Sequence, residues 1–71
     1  FRNPLAREAM ERYLDARDAL RDDEASLSDL RAAFKAGSAS RSEVLELENR
    51  VNRQRIELRR LANEVVKAET R

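Results

Sequence analysis

Apolar residues recur along this chain at alternating intervals of three and four, the spacing of helices that bury one narrow stripe. From Leu5 to Ala36 nothing interrupts it. With Ala6 as position a of a heptad, the a and d positions are Ala6, Ala9, Tyr13, Ala16, Leu20, Asp23, Leu27, Leu30 and Phe34. A second series begins after a short break. With Val44 as position a it runs Val44, Leu47, Val51, Gln54, Leu58, Leu61, Val65 and Ala68. Each series contains a single polar exception, Asp23 in the first and Gln54 in the second.

The ends of both helices are marked. Asn3-Pro4 reads as an N-cap followed by the one helical position where proline loses no needed donor, and Glu8 just inside suits the positive helix end. Gly37, the only glycine, is the residue that takes positive φ without strain, as the position after a helix C-cap prefers. Ser40-Arg41-Ser42-Glu43 has the capping-box form. These signals predict a helix over about 4–36, a turn over 37–40 and a helix over about 41–69. So short a connection makes the helices fold back on one another. The predicted fold is all-α: two long antiparallel helices in a coiled-coil hairpin, one unit over 1–71, roughly 45 Å long at about 1.5 Å per residue.

The two heptad series support this independently. In an antiparallel hairpin, facing residues are symmetric about the turn. The pairs Leu30 with Leu47, Leu27 with Val51, Leu20 with Leu58, Ala16 with Leu61, Tyr13 with Val65, Ala9 with Ala68 and Phe34 with Val44 all centre on Ser38 and Ala39. Asp23 and Gln54 share that centre, so the two exceptions face each other. A matched polar layer penalises any slipped register, and a side-chain hydrogen bond is expected between them. Flanking charges are opposite in sign: Glu24 with Arg55, Arg31 with Glu48 and Arg12 with Glu64. Such pairs select orientation more than they supply stability.

A seam this rich in alanine buries little area, so an isolated hairpin should be marginally stable. On the second helix, Leu45, Asn49, Asn52, Ile56, Asn63 and Val66 form an outer stripe broken only by Arg59, poorly charged for a solvent face. Leu5, Met10 and Leu14 add apolar surface to the first helix. Lateral packing into a larger helical assembly through Leu45, Ile56 and Val66 is the expectation.

Composition narrows the chemistry. The 71 residues contain 15 Lys plus Arg and 14 Asp plus Glu, with one Gly, one Pro, two Phe, one Tyr and no Trp. Large apolar side chains are too few for a layered α/β fold. Without Cys or His there is no thiol nucleophile, no disulfide, and neither the usual general base nor the commonest metal ligand. Asp22-Asp23-Glu24 is a weak cation candidate because consecutive helical residues point apart. Arg50, Arg53, Arg55, Arg59 and Arg60 spread around the helix between glutamates, with no stacking aromatic beside them. Neither an enzyme, a cofactor nor a nucleic-acid partner is expected. No apolar run approaches the roughly 20 residues that cross a bilayer, so this segment is not expected to insert into a membrane. The opening FRNPLARE lacks a signal-peptide core, and a chain that starts on Phe1 rather than Met reads as a processed or excised piece.

The stretch Phe34–Glu48, FKAGSASRSEVLELE, resembles the helix-turn-helix of the TolC-like outer-membrane efflux factors. Phe34, Lys35, Ala36, Gly37, Ala39, Ser40, Glu43, Val44 and Leu45 fall in order on that family's aromatic, basic, small, Gly, small, Ser/Thr, acidic and Val-Leu pattern. Ser38 and Leu47-Glu48 depart from it. The resemblance implies a periplasmic coiled-coil hairpin, packed with others into a trimeric helical tunnel, whose tip meets a periplasmic adaptor protein. By that likeness Gly37, Ser38, Ala39 and Ser40 are the partner-binding tip. Nothing in the chain suits the family's membrane β-barrel, so the likeness concerns the hairpin alone. The functional expectation is a non-enzymatic, self-associating hairpin of this kind, concerned with efflux and transport. The alternative is a stand-alone dimerising scaffold or adaptor subunit, such as a secretion or virion component.

Overall fold

The computed structural model describes residues 3–70, and Phe1, Arg2 and Arg71 lie outside the described residues. Helix α1 spans Pro4–Lys35 and helix α2 spans Arg41–Glu69. The two pack antiparallel into a rod whose Cα trace measures 52 × 15 × 10 Å. Neither helix is long and apolar enough to cross a membrane.

Each predicted boundary has its physical cause in place. Asn3 sits in extended geometry and its Oδ1 accepts the Leu5 amide at 2.9 Å, with Pro4 opening the helix. At the other end α1 stops one residue earlier than expected. Ser38 N donates to Ala33 O at 2.9 Å and Gly37 N to Phe34 O at 3.0 Å, the paired bonds of a Schellman ending. Gly37 carries φ +81, the left-handed conformation that this ending needs and that a Cβ disfavours. Ser40 then opens α2 through a complete capping box. Its Oγ accepts the Glu43 amide at 3.1 Å, while Glu43 Oε1 accepts the Ser40 amide at 3.1 Å.

Among the described residues the buried ones are Ala6, Ala9, Leu20, Leu27, Val44, Val51, Leu61, Val65 and Ala68, and all nine lie on the predicted seam. They form two unlike stretches. Toward the open end, Ala6, Ala9, Val65 and Ala68 pack together with Met10 and Tyr13 against them. Toward the turn, Leu20, Leu27, Val44 and Val51 pack with Leu30, Leu47 and Leu58. Val51, at 0% exposure, is the most deeply enclosed side chain.

Two expectations about packing are corrected. Phe34 was expected to close the seam over Val44, but its ring is 44% exposed while Val44 is buried. Phe34 stands in the last turn of α1, where the chain departs into the turn and leaves a large ring covered on one side only. Met10, expected on the outer surface, is half-buried against the open-end cluster, because the neighbouring alanines leave room that a long flexible side chain fills.

Candidate functional site

Three regions stand out from the sequence: the polar layer, the tip and the outer face of α2. In the polar layer Gln54 Nε2 donates to Asp23 Oδ2 at 2.7 Å, part-buried between the helices. Arg50 Nε reaches the same oxygen at 3.0 Å. The layer is therefore a triad, with a carboxylate held by an amide on the seam and a guanidinium on its rim. Gln54 Oε1 is buried without a partner. The role of Arg50 was missed from sequence. Its signal was available, since a residue four before Gln54 on α2 lies one turn away on the same side.

The charges flanking the seam sort themselves by reach. Arg55 meets Glu24 at 2.9 Å and Arg31 meets Glu48 at 3.3 Å, both across the hairpin as expected. Arg12 does not capture Glu64. That carboxylate turns to Arg60 on its own helix, where Arg60 also grips Glu57 through two nitrogens. An i,i+4 partner is already held at the right height by the helix, so Arg60 wins the competition. The hydrogen bond from Arg60 draws the Glu57 carboxyl below its ordinary range. Glu57, with Glu64 beside it, pushes the Arg60 guanidinium higher still. Three of the five clustered arginines, Arg50, Arg55 and Arg60, thus carry carboxylates of this chain.

At the tip Gly37, Ser38 and Ser40 are exposed and Ala39 is half-buried. Both serine hydroxyls are engaged by the fold itself: Ser38 Oγ donates to Ala33 O at 3.1 Å, and Ser40 Oγ caps α2. What the tip offers outward is small-residue surface, with the exposed side chains of Phe34 and Leu45 one turn into either helix.

The outer face of α2 carries three large exposed aliphatic side chains, and α1 exposes Leu5 and Leu14 near the open end. Leu45 is 46%, Ile56 71% and Val66 60% exposed. The corresponding outer positions of α1 are all exposed and more charged: Arg7, Glu11, Asp18, Arg21 and Lys35 alternate with Leu14, Ala25, Ser28 and Ala32. The grooves beside the seam, such as the one lined by Leu5, Arg12, Glu64 and Lys67, are shallow and open to solvent. No family model, curated protein or solved structure matches this chain. The reading of function rests on the molecule's own surfaces.

Proposed function

We propose that this chain is a non-enzymatic assembly module, a stiff helical hairpin that binds protein through the outer face of α2. The observation that carries the reading is the contrast between the two outer faces. One is an aliphatic and asparagine stripe with a single charge, Arg59, and with Leu45, Ile56 and Val66 standing in solvent, and the other carries five charges, Arg7, Glu11, Asp18, Arg21 and Lys35, among Leu14 and small residues. A helix with an apolar seam on one side and a weakly charged, partly aliphatic stripe on the opposite side is suited to packing from both. The small seam adds to this. Among the described residues only six large aliphatic side chains are buried, little for a chain of this length, and a second packed face supplies the missing area. The test is the doubly substituted chain Ile56→Arg, Val66→Arg. It keeps its helicity, since both side chains stand largely in solvent, and loses association measured by sedimentation. Association equal to that of the unsubstituted chain sinks the proposal.

A second reading follows the likeness to efflux-factor hairpins, in which the Gly37–Ser40 tip docks a periplasmic adaptor and the localisation is periplasmic. The exposed Phe34 and Leu45 beside a small-residue turn favour it. Titrating the chain with the helical hairpin of such an adaptor, followed by amide shifts, then perturbs Gly37, Ser38 and Ala39 first. Shifts confined to α2 beyond Glu48 count against tip docking.

A further inference from the structure

The outer stripe of α2 is palindromic, and we infer that it pairs with α2 of a second copy of this chain, antiparallel, about a two-fold axis through Ile56. The inference rests on the reading of that face as a contact surface and adds its occupant and register. At 100° per residue the stripe lies about 150° around α2 from the buried seam, so a second helix packs there without disturbing the hairpin.

The rule that pairs α1 with α2 applies unchanged to α2 with itself. Facing residues share a constant centre, and with that centre at Ile56 the layers are like with like. Ile56 meets Ile56, Leu45 meets Val66 and Asn49 meets Asn63, aliphatic on aliphatic and amide on amide. The rims agree at both ends, where Glu46 faces Lys67 and Arg41 faces Glu69, opposite charges occurring twice by symmetry. Nearer the axis Arg53 faces Arg60 and Arg55 faces itself, but Arg60 is already neutralised by Glu57 and Glu64, and Arg55 by Glu24.

Arg59 decides the direction. It is the one charge within the stripe, and a parallel pairing stacks it on Arg59 of the second copy. The antiparallel pairing sets it opposite Asn52, whose amide oxygen accepts from a guanidinium. A head-to-tail ring fares worse, since it needs as partner surface the outer face of α1, where Arg7, Glu11, Asp18, Arg21 and Lys35 put five charges against the single Arg59 of the α2 stripe. Two copies in this arrangement form a four-helix layer with the α2 helices at its centre and the α1 helices outside. The two tips then point in opposite directions.

The chain contains no cysteine, so introduced thiols report the register directly. Under mild oxidation, a Leu45→Cys chain mixed with a Val66→Cys chain cross-links to it, and neither cross-links to itself. Sedimentation shows twice the 8.2 kDa protomer mass. Ile56→Arg weakens the dimer about 100-fold while leaving helicity unchanged. Glu46→Lys or Lys67→Glu alone weakens it two- to fivefold, roughly, and the two together restore it. Self-cross-linking of Leu45→Cys overturns the antiparallel register while leaving the contact surface standing. A dimer indifferent to Ile56→Arg overturns both, and a monomer at millimolar concentration overturns self-pairing.

Discussion

Gln54 Nε2 donates across the seam to Asp23 Oδ2 at 2.7 Å, and Arg50 Nε lies 3.0 Å from that oxygen in an ion pair. The consequence is an asymmetry between two residues that the heptads treat as equals. Asp23 has two partners, whereas Gln54 has one and keeps its Oε1 buried and unpaired. Gln54→Leu removes the unpaired acceptor and leaves Asp23 held by Arg50. Asp23→Leu strands the Gln54 amide at both ends, at about 1–3 kcal/mol. Thermal melts should therefore rank Gln54→Leu above Asp23→Leu. The double replacement should exceed both, raising Tm by roughly 5 °C or more while permitting register slippage. A double variant with reduced helicity contradicts this account of the layer.

Gly37 presents the same kind of separation at the turn. With φ +81 and nothing within 4 Å of where a Cβ would stand, any cost of substitution is backbone strain alone. Gly37→Val is expected to cost about 1 kcal/mol or more, and Gly37→Asn less, because asparagine tolerates the left-handed region. Equal melting temperatures for the two variants count against it.

Asn3 links the two ends of the chain. Its Oδ1 caps α1, and its Nδ2 donates to Ala68 O at 2.8 Å in the last turn of α2. Asn3→Asp keeps the capping acceptor and loses the donor, while Asn3→Ala loses both. Hydrogen exchange should show Asn3→Asp loosening the last turn of α2 alone. Asn3→Ala frays both helix ends, with a total cost of about 1–2 kcal/mol.

The Glu57 carboxyl is held below its ordinary value of 4.5 by the hydrogen bond from Arg60. A depressed carboxyl stabilises the folded state above its unfolded value and loses that contribution as pH falls through the folded one. Helicity measured from pH 6 downward should thus hold near 4.5 and decline below it. Arg60→Met should remove part of that decline, and an identical acid profile in the variant contradicts the assignment.

Much of this molecule is legible residue by residue. Heptad spacing, the Asn3 and Ser40 caps and the Gly37 stop depend on groups within a turn or two of one another, so local chemistry states them without a fold. Even the antiparallel register follows, because one centre of symmetry satisfies every seam pair, the Asp23 and Gln54 exception included. The long side chains obey a different rule. Several partners lie within reach of Arg50, Arg60 and Glu64, and which is taken depends on the heights and facing angles of both helices at once. Phe34 is exposed for a related reason, since cover for a ring at a helix end comes from whatever the turn places there. The bond from Asn3 to Ala68 is the plainest case. It exists because two helices of similar length, bent back at Gly37, end at the same level, a coincidence carried by neither end alone.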